Sequence, residues 1–155
     1  MTAIRATALP AASLLARGAR PGDYLDCFEA RMPRQVDLAE FIAAFYCTPL
    51  FRLERLVLAL PLKRWVRDRE AAALAQGAER FAAWNVVGRD AGQTLLEDRS
   101  GATRSWLCVD GARLLFGSGV RARDGRLSLP VRLFLPLHGI YARALLRAAV
   151  RRLRQ

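Results

Sequence analysis

The last thirty residues, Arg126 to Gln155, hold seven arginines and no acidic residue, yet their apolar positions recur at helical spacing. Phe134, Leu137, Tyr141, Leu145 and Ala148 fall along one face. Arg132, Arg143, Arg147 and Arg154 fall roughly on the other. One amphipathic helix of this length, closing a short chain, needs a broad apolar surface to lie against, and a sheet supplies one. Pro136 cannot donate to residue 132, so it is expected to bend this helix or to set its first turn.

The segments upstream supply that sheet. Asp23 to Met32 alternates well enough for a strand, with Tyr24, Cys27 and Phe28 as bulk and Asp23, Asp26 and Glu29 as the polar side; Pro33 stops it. Asp37 is a good N-cap with Glu40 in the capping-box position, and Phe41, Ile42, Phe45 and Tyr46 then predict a short helix ending near Thr48-Pro49. A second helix is expected from about Leu50 to Arg67, divided or kinked by Pro61, and a charged, alanine-rich helical stretch ends near Gly77. Arg80 to Val87, Thr94 to Asp98, Arg104 to Val109 and Arg113 to Val120 read as successive strands. Gly88 to Gly92, Ser100-Gly101 and Asp110-Gly111 separate them, and Asp124-Gly125 precedes the terminal helix. Strand, helices, antiparallel meander, long helix is the order of an α+β helix-grip fold, in which a curved sheet wraps a C-terminal helix around a possible cavity.

Composition narrows the class. At 155 residues, 53% hydrophobic and 25% charged, the chain reads as one globular domain. A net charge of +11 ordinarily points to polyanions, but Lys63 is the only lysine among the 25 basic residues. That skew, with abundant alanine, resembles GC-rich bacterial codon usage and weakens the inference. Met1 to Gly22 carries three arginines and no acid, but its apolar stretch is short and holds Pro10. A loosely ordered basic arm over residues 1–22 is therefore expected, followed by a single domain over residues 23–155. Cys27, Cys47 and Cys108 are widely spaced and no CxxC occurs, so free thiols in a reducing cytoplasm are expected, with no metal and no cofactor. No uninterrupted apolar run reaches the roughly 18 residues of a membrane span.

His138 is the only histidine and lies three residues before Tyr141, so the two are neighbours at the edge of the apolar stripe. Either suits a polar anchor, and His138 suits an acid or base. Trp84 and Trp106 are expected on the concave side of the sheet as pocket walls, with Phe116, and Cys108 shares the face of Trp106. A Cys108–His138 nucleophile pair has no evident third member. Glu97 and Asp98 point to opposite faces, leaving Glu97 as a weak catalytic candidate. Gly117-Ser118-Gly119 lacks the third glycine and following helix of a nucleotide loop; the small residues are expected to let the sheet curve or the terminal helix approach.

Ser105-Trp106-Leu107, Phe116-Gly117-Ser118 and Pro136-Leu137-His138-Gly139-Ile140-Tyr141 with Leu145-Leu146 resemble an uncharacterised bacterial family of START-like, polyketide-cyclase-like domains of the SRPBCC type, similar to domain of unknown function 2867. The resemblance covers roughly Asp23 to Arg152 and implies a helix-grip fold with a cavity for an apolar ligand, without a settled activity. The expected function is binding of a small apolar or amphipathic molecule between sheet and helix, anchored by His138 and Tyr141 and walled by Trp84, Trp106, Cys108 and Phe116. Two other classes compete. One is a small cyclase or isomerase using His138, with Tyr141 and Glu97 as further catalytic candidates. The other is a peripheral binder of anionic membrane or nucleic acid through Arg143, Arg147, Arg151 and Arg154, with no specific nucleic acid expected.

Overall fold

The computed structural model describes residues 3–51, 68–81 and 84–155. Seven strands form one open antiparallel sheet: β1 (Arg5–Ala6), β2 (Tyr24–Arg31), β3 (Arg80–Phe81), β4 (Trp84–Arg89), β5 (Gln93–Asp98), β6 (Thr103–Asp110) and β7 (Arg113–Val120), in the order β1-β2-β7-β6-β5-β4-β3. Among the described residues the helices are α1 (Leu14–Arg17), α2 (Leu38–Tyr46), α3 (Asp68–Ala75) and α4 (Leu129–Leu153). The chain is thus α+β, a meander joined to an N-terminal strand that pairs with the last strand of the meander, Phe28 opposite Phe116.

Local chemistry accounts for most boundaries. Asp37 accepts the Glu40 N–H at 2.7 Å while the Glu40 carboxylate reaches back to the Asp37 N–H, so the capping box at the start of α2 is complete. Asp124 and Gly125 both have positive φ, 51° and 71°, which lets Arg123 and Arg126 exchange backbone hydrogen bonds across a two-residue hairpin. Where a single strand is expected from Arg80 to Val87, two are found. β3 and β4 pair with each other, Phe81 opposite Trp84, so the chain reverses between them at a site with no glycine or proline to signal it. The helix expected from Leu50 to Arg67 lies outside the described residues beyond its first turn, where Thr48 Oγ1 accepts the Phe51 N–H.

The two faces of the sheet carry separate cores. On one, Phe28, Leu96, Leu107, Leu114 and Phe116 meet α2 through Phe41, Phe45 and Tyr46, and the C-terminal half of α4 through Ala142, Leu145, Leu146, Ala149 and Val150. On the other, Leu15 of α1 covers Cys27, Leu95, Trp106 and Leu115. Residues 3–22, expected to be a loosely ordered arm, are therefore part of the fold. Their short apolar stretch is what the second face needs to exclude water. The glycines of β7 serve this contact and not an approach of the terminal helix: a Cβ on Gly117 would lie 2.9 Å from Leu15 Cδ2 and 3.0 Å from Trp106 Cε3.

A buried ionic cluster locks the same region. The Asp23 carboxylate binds Arg104 Nη2 at 2.9 Å and Arg121 Nη1 at 3.1 Å, and accepts the backbone N–H groups of Arg20 and Ala122. Both guanidiniums also donate to the Gly18 carbonyl at 2.8 Å. The side chains of Asp23 and Arg104 are each only 1% exposed, so the end of α1 is held to β6 and to the end of β7 by charge-assisted bonds shielded from water.

Candidate functional site

Strand β2 presents Tyr24, Asp26 and Phe28 to the helix side by its period of two. Phe28 enters the core; Asp26 and Tyr24 instead form a polar end beneath α4. The Asp26 carboxylate accepts the Ser118 N–H at 2.8 Å and the Tyr24 hydroxyl at 2.9 Å, and its Oδ2 lies 3.4 Å from His138 Nε2. The Tyr24 ring meets the imidazole edge-on, with centroids 6.3 Å apart. Burial, reinforced by the adjacent carboxylate, raises the Tyr24 phenol well above its usual range, so it stays a donor. A carboxylate offers only acceptors. His138 Nε2 is buried and, 3.4 Å from that carboxylate, makes no hydrogen bond among the described residues.

Above this cluster an open groove of about 400 Å³ is lined by Phe134, Leu137, His138 and Tyr141. The arrangement pairs an apolar trough with a polar end of donor phenol, carboxylate and imidazole. The hydroxyl of Ser118, buried on β7 beside Asp26, has no hydrogen-bond partner among the described residues. Tyr46 and Ser105 are hydrogen-bonded to one another at 3.1 Å on the neighbouring part of this face.

Of the residues expected at a pocket, the fold brings together only His138 and Tyr141. Phe116 faces the helix side but is a core residue, its ring 4.6 Å from that of Phe45. Trp84 also packs on the helix side, though on β4, four strands from β2. Trp106 and Cys108 lie on the opposite face, in and against the α1 core, so they are not walls of this groove. The expectation that the two tryptophans share a concave side fails because Trp84 pairs with Asp98 and Trp106 with Leu95, and these positions of β5, three apart, face opposite ways. Cys108 cannot pair with His138 across the sheet, and burial pushes its thiol up to about 11, away from nucleophilic use. Glu97 lies with the ionic cluster, 3.6 Å from Arg121, and not in the groove. Among the described residues no group of histidine, cysteine and carboxylate side chains has the arrangement of a metal site.

Sequence reasoning assigned Asp26 to the solvent side of its strand. The signal that finds it is strict alternation: counting by two from Phe28 puts Asp26 and Tyr24 on the face the terminal helix covers. Comparison with family models, curated proteins and solved structures finds no match to this chain.

Proposed function

We propose that the protein is a cytoplasmic, START-like helix-grip domain that binds a small amphipathic molecule in the groove beside α4. The apolar part of the ligand lies against Phe134, Leu137 and Tyr141, and its polar end meets His138, backed by Asp26 and Tyr24. The observation that carries this reading is the Tyr24–Asp26 hydrogen bond, with His138 Nε2 3.4 Å from the same carboxylate, at the wall of an otherwise apolar groove. Such pairing of apolar area with a few convergent polar groups is the usual make-up of a ligand site. The helix-grip assignment is supported by the packing of one face of the meander on the C-terminal half of α4.

Titration of the full chain with a dansyl-labelled fatty acid tests it. Saturable binding is expected, and His138→Ala and Asp26→Asn are each expected to weaken it by about tenfold, the worth of one hydrogen bond to a charged group. Equal affinity in both variants, with circular dichroism unchanged, rejects the site.

The same His138–Asp26 proximity favours a second reading, an isomerase or cyclase in which His138 takes a proton from carbon next to a carbonyl and the nearby carboxylate supports the cation. With a 1,3-diketone as probe, protein-dependent hydrogen–deuterium exchange is expected by NMR and is expected to disappear in His138→Ala. Exchange that persists in the variant rejects this role.

A further inference from the structure

The C-terminal half of α4 is held in the core, but its first half projects with its apolar side chains in solvent. Leu129, Leu133, Phe134, Leu137 and Ile140 are 65%, 71%, 66%, 59% and 66% exposed. At 100° per residue, Leu129, Leu133, Leu137 and Ile140 form one outward stripe. The same stripe continues as Arg143, Arg147, Arg151 and Arg154, all exposed. Four neighbouring large apolar side chains on one helix face, with Phe134 beside them, exceed the scattered exposure of an ordinary surface. The rim is basic: Arg123, Arg126 and Arg132 are exposed and residues 126–155 contain no acidic side chain, while among the described residues the acids near this half are the exposed Asp124 and the largely buried Asp26 beneath His138. Beside the arginine half, Arg147, Arg151 and Arg152 line a groove of about 460 Å³.

We propose that this face docks the protein on an anionic lipid bilayer, Leu129, Leu133, Leu137 and Ile140 entering the acyl boundary while the arginines meet lipid phosphates. Charge complementarity selects the partner. A second copy brought face to face would set two arginine stripes together with no carboxylate on either, whereas anionic headgroups neutralise them. The mode is peripheral. By length and composition the whole helix is apolar enough to cross a membrane. Ala142, Leu145, Leu146, Ala149 and Val150, however, are buried in the domain, and the free half, Leu129 to Ile140, is about 18 Å long against a hydrocarbon core of roughly 30 Å. It therefore lies in the interface instead of spanning it. Leu137 belongs to both surfaces, but Leu129, Leu133 and Ile140 do not line the ligand groove, so the inference does not depend on the ligand reading.

Sedimentation of the full chain with phosphatidylcholine vesicles, with and without phosphatidylglycerol, tests the proposal. Binding at least about tenfold tighter to the phosphatidylglycerol vesicles is expected, weakening as salt is raised. The double substitution Leu133→Glu with Ile140→Glu is expected to weaken it a further tenfold or so, leaving circular dichroism and dansyl-fatty-acid affinity unchanged. Arg147→Glu with Arg151→Glu is expected to abolish the preference for the anionic vesicles. Failure to bind vesicles, or equal binding to both kinds, overturns the proposal. So does a dimer seen by light scattering that Leu133→Glu dissociates, which makes a second copy the occupant. Binding of duplex DNA in the absence of any vesicle binding reassigns the arginines and overturns it as well.

Discussion

Asp23→Ala is expected to lower the stability of the fold by about 3–5 kcal/mol, the range for breaking one side of a buried ion pair. Its carboxylate is the counterion of Arg104, whose side chain is 1% exposed and cannot turn to water for compensation. The substitution also strips the Arg20 and Ala122 N–H groups of their acceptor, and loosens Arg121, which then has Glu97 and the Gly18 carbonyl as remaining partners. Burial by itself raises the Asp23 carboxyl, but the backbone bonds from Ala122 and Arg20 and the Arg121 guanidinium outweigh it and hold it below its ordinary value. The unfolded chain thus takes up the proton first. This contribution is fully present above the ordinary carboxylate value near 4 and is lost as the pH falls through the lower folded-state value. Urea unfolding at neutral pH and in acid checks both statements. The variant's midpoint should fall sharply at neutral pH, and Asp23→Asn should lose less on acidification than the parent chain. Coincident neutral-pH curves for parent and Asp23→Ala contradict the role given to the cluster.

Trp106→Ala is expected to cost a further large amount, about 3–5 kcal/mol, and to leave ligand binding by the folded protein untouched. The indole is 1% exposed between the sheet and α1. Its N–H donates to Gln93 Oε1 at 2.8 Å, the same oxygen that accepts the Leu14 N–H at the start of α1. Truncation opens a cavity under Leu15 and takes one of two donors from Gln93 Oε1, so the cover over the second core loosens with it. Because this face is turned away from Phe134, Leu137, His138 and Tyr141, dansyl-fatty-acid affinity measured well below the unfolding transition should match that of the parent. A loss of affinity comparable with that of His138→Ala would place the ligand site on the α1 side of the sheet.

What could be read from the sequence was what local chemistry dictates. The Asp37–Glu40 capping box, the Asp110-Gly111 and Asp124-Gly125 turns, and the extents of β2, β6 and β7 each depend on residues within a few positions of one another, so their readings match the fold closely. What required the fold was the side of the sheet on which each residue falls. Trp84 and Trp106 look alike in sequence, and only the register of β5 against β4 and β6 sends them to opposite faces. Leu15 and the residues around it read as an arm because nothing local says that Gly117 and Gly119 leave room for it. In α4 the periodicity of Phe134 and Leu137 is that of Leu145, and only the extent of the sheet decides that the first pair is exposed and Leu145 buried. Of the candidate site, His138 and Tyr141 were legible as a pair. Asp26, the carboxylate beneath the histidine, was hidden by a strand whose polar residues were assumed to face water.

The pairing of β2 with β7 also fixes when the molecule can close during its synthesis. Asp26 meets Ser118 across 92 positions and Asp23 meets Ala122 across 99. At the ribosome's roughly 5–20 residues per second, the N-terminal strand emerges on the order of 10 s before its partner exists. Through that interval Leu15, Cys27 and Phe28 have no sheet to cover, and α1 lacks the Gln93 and Arg104 groups that hold it. The segment holding α1 and β2 is thus made well before the strands it docks on, so a chain stalled before Arg113 exposes a strand without its neighbour, a template for pairing with other nascent chains.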